Sequence, residues 1–216
     1  ANKLYARGPR FRMESEMLRD NALAASGLLS RKMGGPSVFP PAADAGRVNN
    51  NKENIKWTPS PGEDRFRRSV YTFVRRTAPF AMFATFDAPS REFCCVKRAR
   101  TNTPMQALIG LNDPMLFECA QGLALRMYKG AGSDAAARLS YGFRLCTGRQ
   151  PSSTELQTLV KAFAAELQAY TQDKTGAQSV VSGVLPLPPG AHVSELAALT
   201  MLSNVLLNMD ETVTRE

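Results

Sequence analysis

Two helix starts follow each other closely in the middle of this 216-residue chain. Thr103 and Pro104 are suited to the N-cap and first positions of a helix, and Gln106, as the third helical residue, can reach back to the cap. Asp113 and Pro114 form a second start of the same kind, with a carboxylate at the positive end of the next helix. The chain is therefore expected to kink or break near Asn112, between a helix that starts at Pro104 and a helix that runs from Met115 to Tyr128.

Composition indicates a globular protein. Hydrophobic residues make up 44% of the chain and charged residues 21%, which is enough for one sizeable core. No apolar run approaches the roughly 20 residues needed to span a bilayer, so no transmembrane segment is expected. The first residues, ANKLYARGPRFR, have neither an apolar signal region nor an initiating methionine. We therefore expect residues 1–216 to be a single helical domain, the excised C-terminal part of a larger protein.

Helical periodicity recurs along most of the chain, whereas the signal for strands is weak. The best candidate for a strand in the sequence, Val180–Leu185, is weakened by an internal glycine and a following proline. Residues 34–61 and 175–192 are rich in proline and glycine and predict two long loops. The sequence thus predicts an all-α fold, an irregular multi-helix domain with two long loops. Its predicted helices are Met13–Lys32, a helix opened by Ser60, Pro61 and Glu63 that carries Phe66, Val70 and Phe73, the helix from Pro104, Met115–Tyr128, a helix capped by Ser133, a helix capped by Ser152 and Glu155, and Glu195–Asn208.

Positive charge is concentrated in the first half of the chain. Residues 1–100 contain 19 Lys and Arg against 9 Asp and Glu, whereas residues 101–216 contain 8 against 10. Such a basic half suits an acidic neighbouring domain, an anionic glycan or nucleic acid. The chain lacks an RNP-type aromatic run and zinc-finger spacing, which argues against nucleic acid as the partner.

Cysteine and histidine spacing predicts no cofactor bound by this chain. Cys94 and Cys95 are adjacent, Cys119 and Cys146 are isolated, and neither C-x-x-C nor C-x-x-C-H occurs. A structural zinc site and covalent haem attachment are therefore not encoded, and no metal is expected. His192 is the only histidine and lies in the segment PPGAHVSE, which predicts an exposed loop.

Charged and amide side chains crowd around the two central helix starts and form a candidate binding cleft. In such a cleft the arginines would hold carboxylate or sulfate groups, and either aspartate would serve as an acid or base. The alternative is that these residues act only as helix caps and surface ion pairs. The residues are Asp87, Arg91, Arg100, Asn102, Asn112 and Asp113.

Five separated segments resemble, in the same order, a C-terminal domain of unknown function typical of planctomycetes, family 1553 of the unknown-function series. The segments are GPRFRMESEMLRDNALAASGLLSRKMGGPSVFPP, GEDRFRRSVYTFVRRTAPF, ATFDAPSRE, RTNTPMQALIGLNDP and LSNVLLNMDETVTRE. The chain differs from the family between Ala42 and Lys56, where the family has an aromatic-rich link.

The resemblance implies an extracytoplasmic location, periplasmic or secreted. It also implies an upstream helical domain in the same polypeptide and a c-type cytochrome domain further upstream, so that haem belongs to the parent protein outside this chain. Family gene settings point to complex carbohydrates, and the family offers no catalytic residues to carry over.

Two functional hypotheses follow. In the first, the chain is a non-catalytic helical scaffold or interaction domain whose basic half binds the upstream domain or a partner protein. In the second, the candidate cleft binds or processes an anionic glycan.

Overall fold

The computed structural model describes residues 10–42, 57–76, 79–183 and 185–215, together with Leu4 and Gly8. Within these residues the protein is mostly helical, with a minimal sheet of two short strands, so the predicted all-α class is confirmed. The elements in chain order are β1 Phe11–Arg12, α1 Ser15–Ser26, the 3-10 turns Gly62–Phe66 and Ser69–Tyr71, α2 Ala81–Thr85, α3 Pro104–Asn112, α4 Pro114–Gly130, α5 Ala135–Thr147, α6 Ser153–Gln172, α7 Lys174–Val181, α8 Val193–Leu207, α9 Asp210–Val213 and β2 Thr214–Arg215.

Helices α4 and α8 form the centre of the fold. They pack along each other, α1 and α5 pack on α4, and α6 and α7 pack on α8. Apolar side chains surround α8 almost completely, so that Leu196, Leu199 and Leu206 are excluded from solvent. The prediction that the last long helix lies in the core is confirmed, because a helix that is apolar all round can only be buried.

The predicted helix starts are confirmed where the caps are local. Thr103 and Gln106 form the capping box of α3, and Ser152 forms that of α6 with its partner Glu155. The carboxylate of Asp113 accepts the first free amides of α4. One cap differs, because α5 is capped by Asp134 and not by the preceding serine.

The predicted helix Met13–Lys32 is too long at both ends. Gly27 adopts a left-handed conformation with φ of 79° and ends α1, a conformation that glycine adopts without steric cost. At the other end Met13 is extended, and its amide donates to the carbonyl of Val213. This bond continues the antiparallel pairing of β1 with β2, in which Phe11 lies opposite Arg215.

The helix predicted after Ser60 is wrong, because its residues form two 3-10 turns. Buried Arg19 of α1 donates to the carbonyls of Arg65 and Arg67, which are thereby used by a tertiary contact. The amide of Ser69 donates to the carboxylate of Asp20 on the same helix. These long-range hydrogen bonds override the local helical period.

Both predicted loops contain more structure than the sequence indicated. In the first, Val38 and Trp57 are buried, and the indole of Trp57 donates to the carbonyl of Pro40; residues 43–56 lie outside the described residues. In the second, α7 replaces the start of the loop, and Val180 belongs to that helix, so the predicted strand is wrong. Asp173 caps α7 by accepting the amide of Gly176.

Candidate functional site

Asp87 is the centre of a closed hydrogen-bond network. Its carboxylate accepts from the guanidinium of Arg12 at 2.8 Å and from the amide and hydroxyl of Thr101 at 2.8 and 2.9 Å. Burial alone would raise the pKa of Asp87, but these hydrogen bonds outweigh it and hold the pKa below its ordinary value. Gln106 joins the same network, since its amide donates to the carbonyl of Thr85 and the hydroxyl of Thr101. The carboxylate therefore ties β1 and the loop before α3 to the start of α3.

The other predicted carboxylate, Asp113, is used as a helix cap. It is buried and accepts from the amides of Met115 and Leu116 at 2.9 and 3.3 Å. Its neighbour Asn112 donates to the carbonyl of Leu108 within α3. The capping alternative raised by the sequence thus describes both residues.

The remaining three predicted site residues, Arg91, Arg100 and Asn102, are exposed. Their side chains are not among the hydrogen-bond partners described above for Asp87 and Asp113. The guanidinium of Arg100 lies over the ring of Phe11, 4.8 Å from its centroid. Asn102 is exposed in the loop before α3. Arg91 has a positive φ of 64°, which is rare for a residue other than glycine, and it lines the groove described next.

An open groove of about 690 Å³ lies between α1, the second 3-10 turn, the loop that carries Arg91 and the end of β2. We call it the charged groove. Acidic side chains from α1 and its N-cap face arginines from the other elements across it. These charged residues are Glu14, Glu16, Asp20, Arg68, Arg91, Arg98 and Arg215.

Most charges of the charged groove are already paired. Arg98 reaches Glu14 at 3.0 Å and Glu16 at 2.6 Å. Burial would raise the pKa of Glu16, but hydrogen bonding to Arg98 keeps it below its ordinary value. The guanidinium of Arg215 donates to the side chain of Asn21 at 2.8 Å. These contacts leave the groove with fixed, preorganised charges.

A smaller apolar pocket of about 160 Å³ adjoins the charged groove, and Glu16 and Arg91 line both. Its walls are mainly apolar, and we call it the aromatic pocket. The rings of Phe80 and Phe83 meet edge to face with their centroids 5.0 Å apart, and Trp57 stacks on Phe80 at 5.5 Å. The wall residues are Phe73, Val74, Pro79, Phe80, Phe83, Ala84, Ala88 and Pro89.

A third cavity, of about 730 Å³, lies between α6, α7 and the start of α8. Lys174 and the chain's single histidine, His192, contribute to its lining. His192 is exposed at the N-cap of α8, so its predicted position in a surface loop is confirmed. Its side chain makes no capping hydrogen bond.

Helix α3 has an inverted distribution of polar and apolar side chains that sequence reasoning missed. Gln106 and Gly110 are buried and Ile109 packs partly against the core, whereas Met105, Leu108 and Leu111 face solvent and are 56%, 56% and 45% exposed. We call these three side chains the outer face of α3. The sequence did contain a signal for this arrangement. Gln106 lies four positions before Gly110, a spacing that places both residues on the same face of a helix.

The cysteines divide into two groups. All four are free thiols, with Cys94 and Cys95 exposed and Cys119 and Cys146 buried. Burial raises the pKa of each buried thiol to about 12. Across the described ranges, no three histidine, cysteine or acidic side chains come together as a metal site would require. No described helix is long and apolar enough to cross a bilayer.

Comparison with known proteins gives one result. Residues 1–163 match the model of a family described as PSD1, protein of unknown function (DUF1553). The matched range contains α3 and the loop of Arg91, and it ends within α6. No curated protein and no solved structure matches the chain.

Proposed function

The chain belongs to the PSD1 family of proteins of unknown function, and we propose that it is a non-catalytic helical interaction domain that binds a protein partner through the outer face of α3. The observation that carries this proposal is the exposure of three large apolar side chains on a helix that buries a glutamine. A solvent-facing helix of a globular protein normally places its apolar residues inward. An ordered apolar surface is typical of an interaction site.

Both ends of α3 are fixed, which supports a rigid binding surface. At its start, the buried amide of Gln106 holds the capping box to the carbonyl of Thr85. At its end, Asn204 of α8 and Asn208, the C-cap of α8, donate to the carbonyls of Leu111 and Gly110, both at 3.0 Å. A Cβ atom on Gly110 would lie 2.1 Å from the side-chain oxygen of Asn208, so a larger residue would displace the amide that donates to the carbonyl of Gly110. A partner therefore loses little affinity to ordering the helix.

The charges near α3 indicate the chemistry of the partner. Helix α3 carries no charged residue, whereas the loop before it carries Arg91, Lys97 and Arg100, with one acidic residue, Glu92, and with Arg98 already paired with Glu14 and Glu16. The same loop exposes most of Phe93 and all of Val96. We infer a partner surface with an apolar centre and an acidic rim, because complementary charge steers association and fixes orientation.

The family resemblance supplies the rest of the proposal. We propose an extracytoplasmic location, with the upstream domain of the same polypeptide as the partner. Haem of a cytochrome c domain would then lie in the parent protein outside this chain.

The alternative function is binding or processing of an anionic glycan. Its candidate acids, Asp87 and Asp113, accept internal hydrogen bonds that each would have to release before moving a proton. The exposed guanidinium of Arg91 is the feature of the predicted cleft that suits an anionic sugar. This alternative would be favoured if the parent protein binds or turns over a glycan and if Asp87→Ala and Arg91→Ala each abolish that activity.

Binding of the chain to the upstream domain, measured by titration calorimetry, tests the interaction proposal. We expect Leu108→Glu to weaken binding at least tenfold, because it places a charge in the centre of the apolar contact. Met33→Glu is the matched control, since Met33 is 83% exposed and lies outside α3. We expect the control to bind like the unmodified chain and both variants to unfold at unchanged temperature.

Two results would overturn the proposal. One is no association between the unmodified chain and the upstream domain at moderate salt. The other is equal binding by Leu108→Glu and the unmodified chain. Weaker binding at higher salt is expected in addition, because the acidic rim and the basic loop are screened.

A further inference from the structure

We infer that the aromatic pocket and the guanidinium of Arg91 at its rim form a binding site for an aryl carboxylate, a small molecule that carries an aromatic ring and a carboxylate. This site is separate from the outer face of α3 and goes beyond the proposed function. It joins a pocket of the size of one ring to a cation that makes no ion pair with any other residue in the described part of the chain.

The pocket has the size and walls of a ring-binding site. Its volume of about 160 Å³ is close to that of an engineered apolar cavity of about 150 Å³ that binds benzene. Phe83 meets Phe80 edge to face, and Phe80 is in turn held by stacking on Trp57. A ligand ring can therefore add edge-to-face contacts without rearranging the wall.

The rim supplies one available positive charge. Among the described residues, Arg91 makes no ion pair, whereas Glu16, the carboxylate beside it, is bound at 2.6 Å by Arg98. Arg91 is exposed. Its positive φ means that its backbone adopts a conformation that residues other than glycine rarely populate. Such outliers cluster at ligand sites. A ligand carboxylate at this rim would gain charge-assisted hydrogen bonds without displacing an internal partner.

The same features argue against other small ligands. A cation would meet Arg91 at the rim and Arg68 in the adjoining groove, where Arg68 is 3.8 Å from Asp20 and more than half exposed. An aliphatic anion without a ring would leave the apolar walls unoccupied. Only a ligand with both parts uses both halves of the site.

Chemical-shift titration of the isotopically labelled chain with 3-phenylpropionate tests this inference. We expect binding in the millimolar range, the affinity typical of a fragment of this size, with shifts at Phe83, Ala88 and Arg91. Phenylpropanol, which keeps the ring but has no charge, and propionate, which keeps the charge but has no ring, are each expected to bind at least tenfold more weakly.

Two variants assign the two halves of the site. Arg91→Gln removes the charge from an exposed position and is expected to weaken 3-phenylpropionate binding about tenfold without changing phenylpropanol binding. Ala84→Leu adds volume at the exposed edge of the pocket and is expected to weaken both. Arg31→Gln is the matched control for charge, because Arg31 is exposed on another segment. It should leave both affinities unchanged.

The inference is overturned if 3-phenylpropionate gives no shifts at these residues, or if phenylpropanol binds as well as the acid. Equal weakening by Arg91→Gln and Arg31→Gln would also overturn it, because the effect would then come from net charge alone. The α3 variant Leu108→Glu should bind the acid normally, which separates this site from the proposed protein interface.

Discussion

Replacing Arg19 by methionine tests whether a buried charge holds the two 3-10 turns. Arg19 is fully buried, and its guanidinium donates to the carbonyls of Arg67 and Arg65 at 2.8 and 3.2 Å and to the hydroxyl of Ser69 at 3.3 Å. Burial lowers the pKa of Arg19, which means that the environment disfavours its charge. The carboxylate of Asp20 lies 3.9 Å away, too far for a direct hydrogen bond.

Two effects of opposite sign decide the result of Arg19→Met. Methionine removes the cost of burying a charge, but it leaves two carbonyl oxygens without donors in the interior. Each orphaned acceptor costs about 1–3 kcal/mol, and the hydroxyl of Ser69 can rotate to another partner. The relief of charge burial offsets part of this loss. We therefore expect the free energy of unfolding to fall by about 2–4 kcal/mol and Tm by roughly 5–15 °C.

Urea unfolding followed by circular dichroism measures the loss, and hydrogen exchange locates it. Amides that bridge the irregular segments, such as those of Ser30, Val38 and Phe73, should exchange faster, while those of α4 and α8 stay protected. Arg31→Met is the control because Arg31 is exposed. Unchanged or increased stability of Arg19→Met would refute the reasoning, since charge burial would then outweigh the hydrogen bonds.

Two further predictions concern acid stability and thiol reactivity. The folded pKa of Asp87 is lowered, so its contribution to stability is present above the ordinary value of 3.8 and is lost as the pH falls through the folded pKa. Asp87→Asn should therefore destabilise the protein by about 1–2 kcal/mol at pH 7, and the difference in urea unfolding should close in acid; a constant difference at all pH values would contradict this. Thiol titration with an aromatic disulfide at pH 8 should detect Cys94 and Cys95 at once, and Cys119 and Cys146 only after denaturation, because their pKa is about 12. Fast reaction of all four would show that the core opens readily.

Features that depend on neighbouring residues were predictable from the sequence. The capping boxes of α3 and α6 need only a residue and its third successor, and both are present as predicted. Gly27 and Asp173 are equally local signals, for the end of α1 and the start of α7. They indicate that the helix predicted to run to Lys32 ends earlier and that the loop predicted from residue 175 begins with a helix.

Features that depend on distant residues were not predictable. The 3-10 turns follow from hydrogen bonds to Arg19, which is more than 40 positions away in the chain. The dispersal of the predicted cleft has the same origin, since Asp87 is bound by Arg12, which lies 75 positions earlier in the chain. Closeness in sequence indicated a shared site, but helix capping directed Asp113 inward. Only the three-dimensional structure distinguishes residues that share a binding site from residues that cap separate helices.

The family match distinguishes surfaces formed by residues 1–163 from surfaces formed by the rest of the chain. The outer face of α3 and the loop of Arg91 lie within residues 1–163, whereas the cavity beside His192 is built largely from residues beyond this range. The asparagines that hold the end of α3 also lie beyond it, on α8 and at its C-cap. The proposed contact surface therefore lies in the matched segment, while its rigidity in this protein depends on residues that follow that segment. Deletion of the amide clamps by Asn204→Ala and Asn208→Ala would separate these two contributions, because it leaves the contact side chains of α3 unchanged.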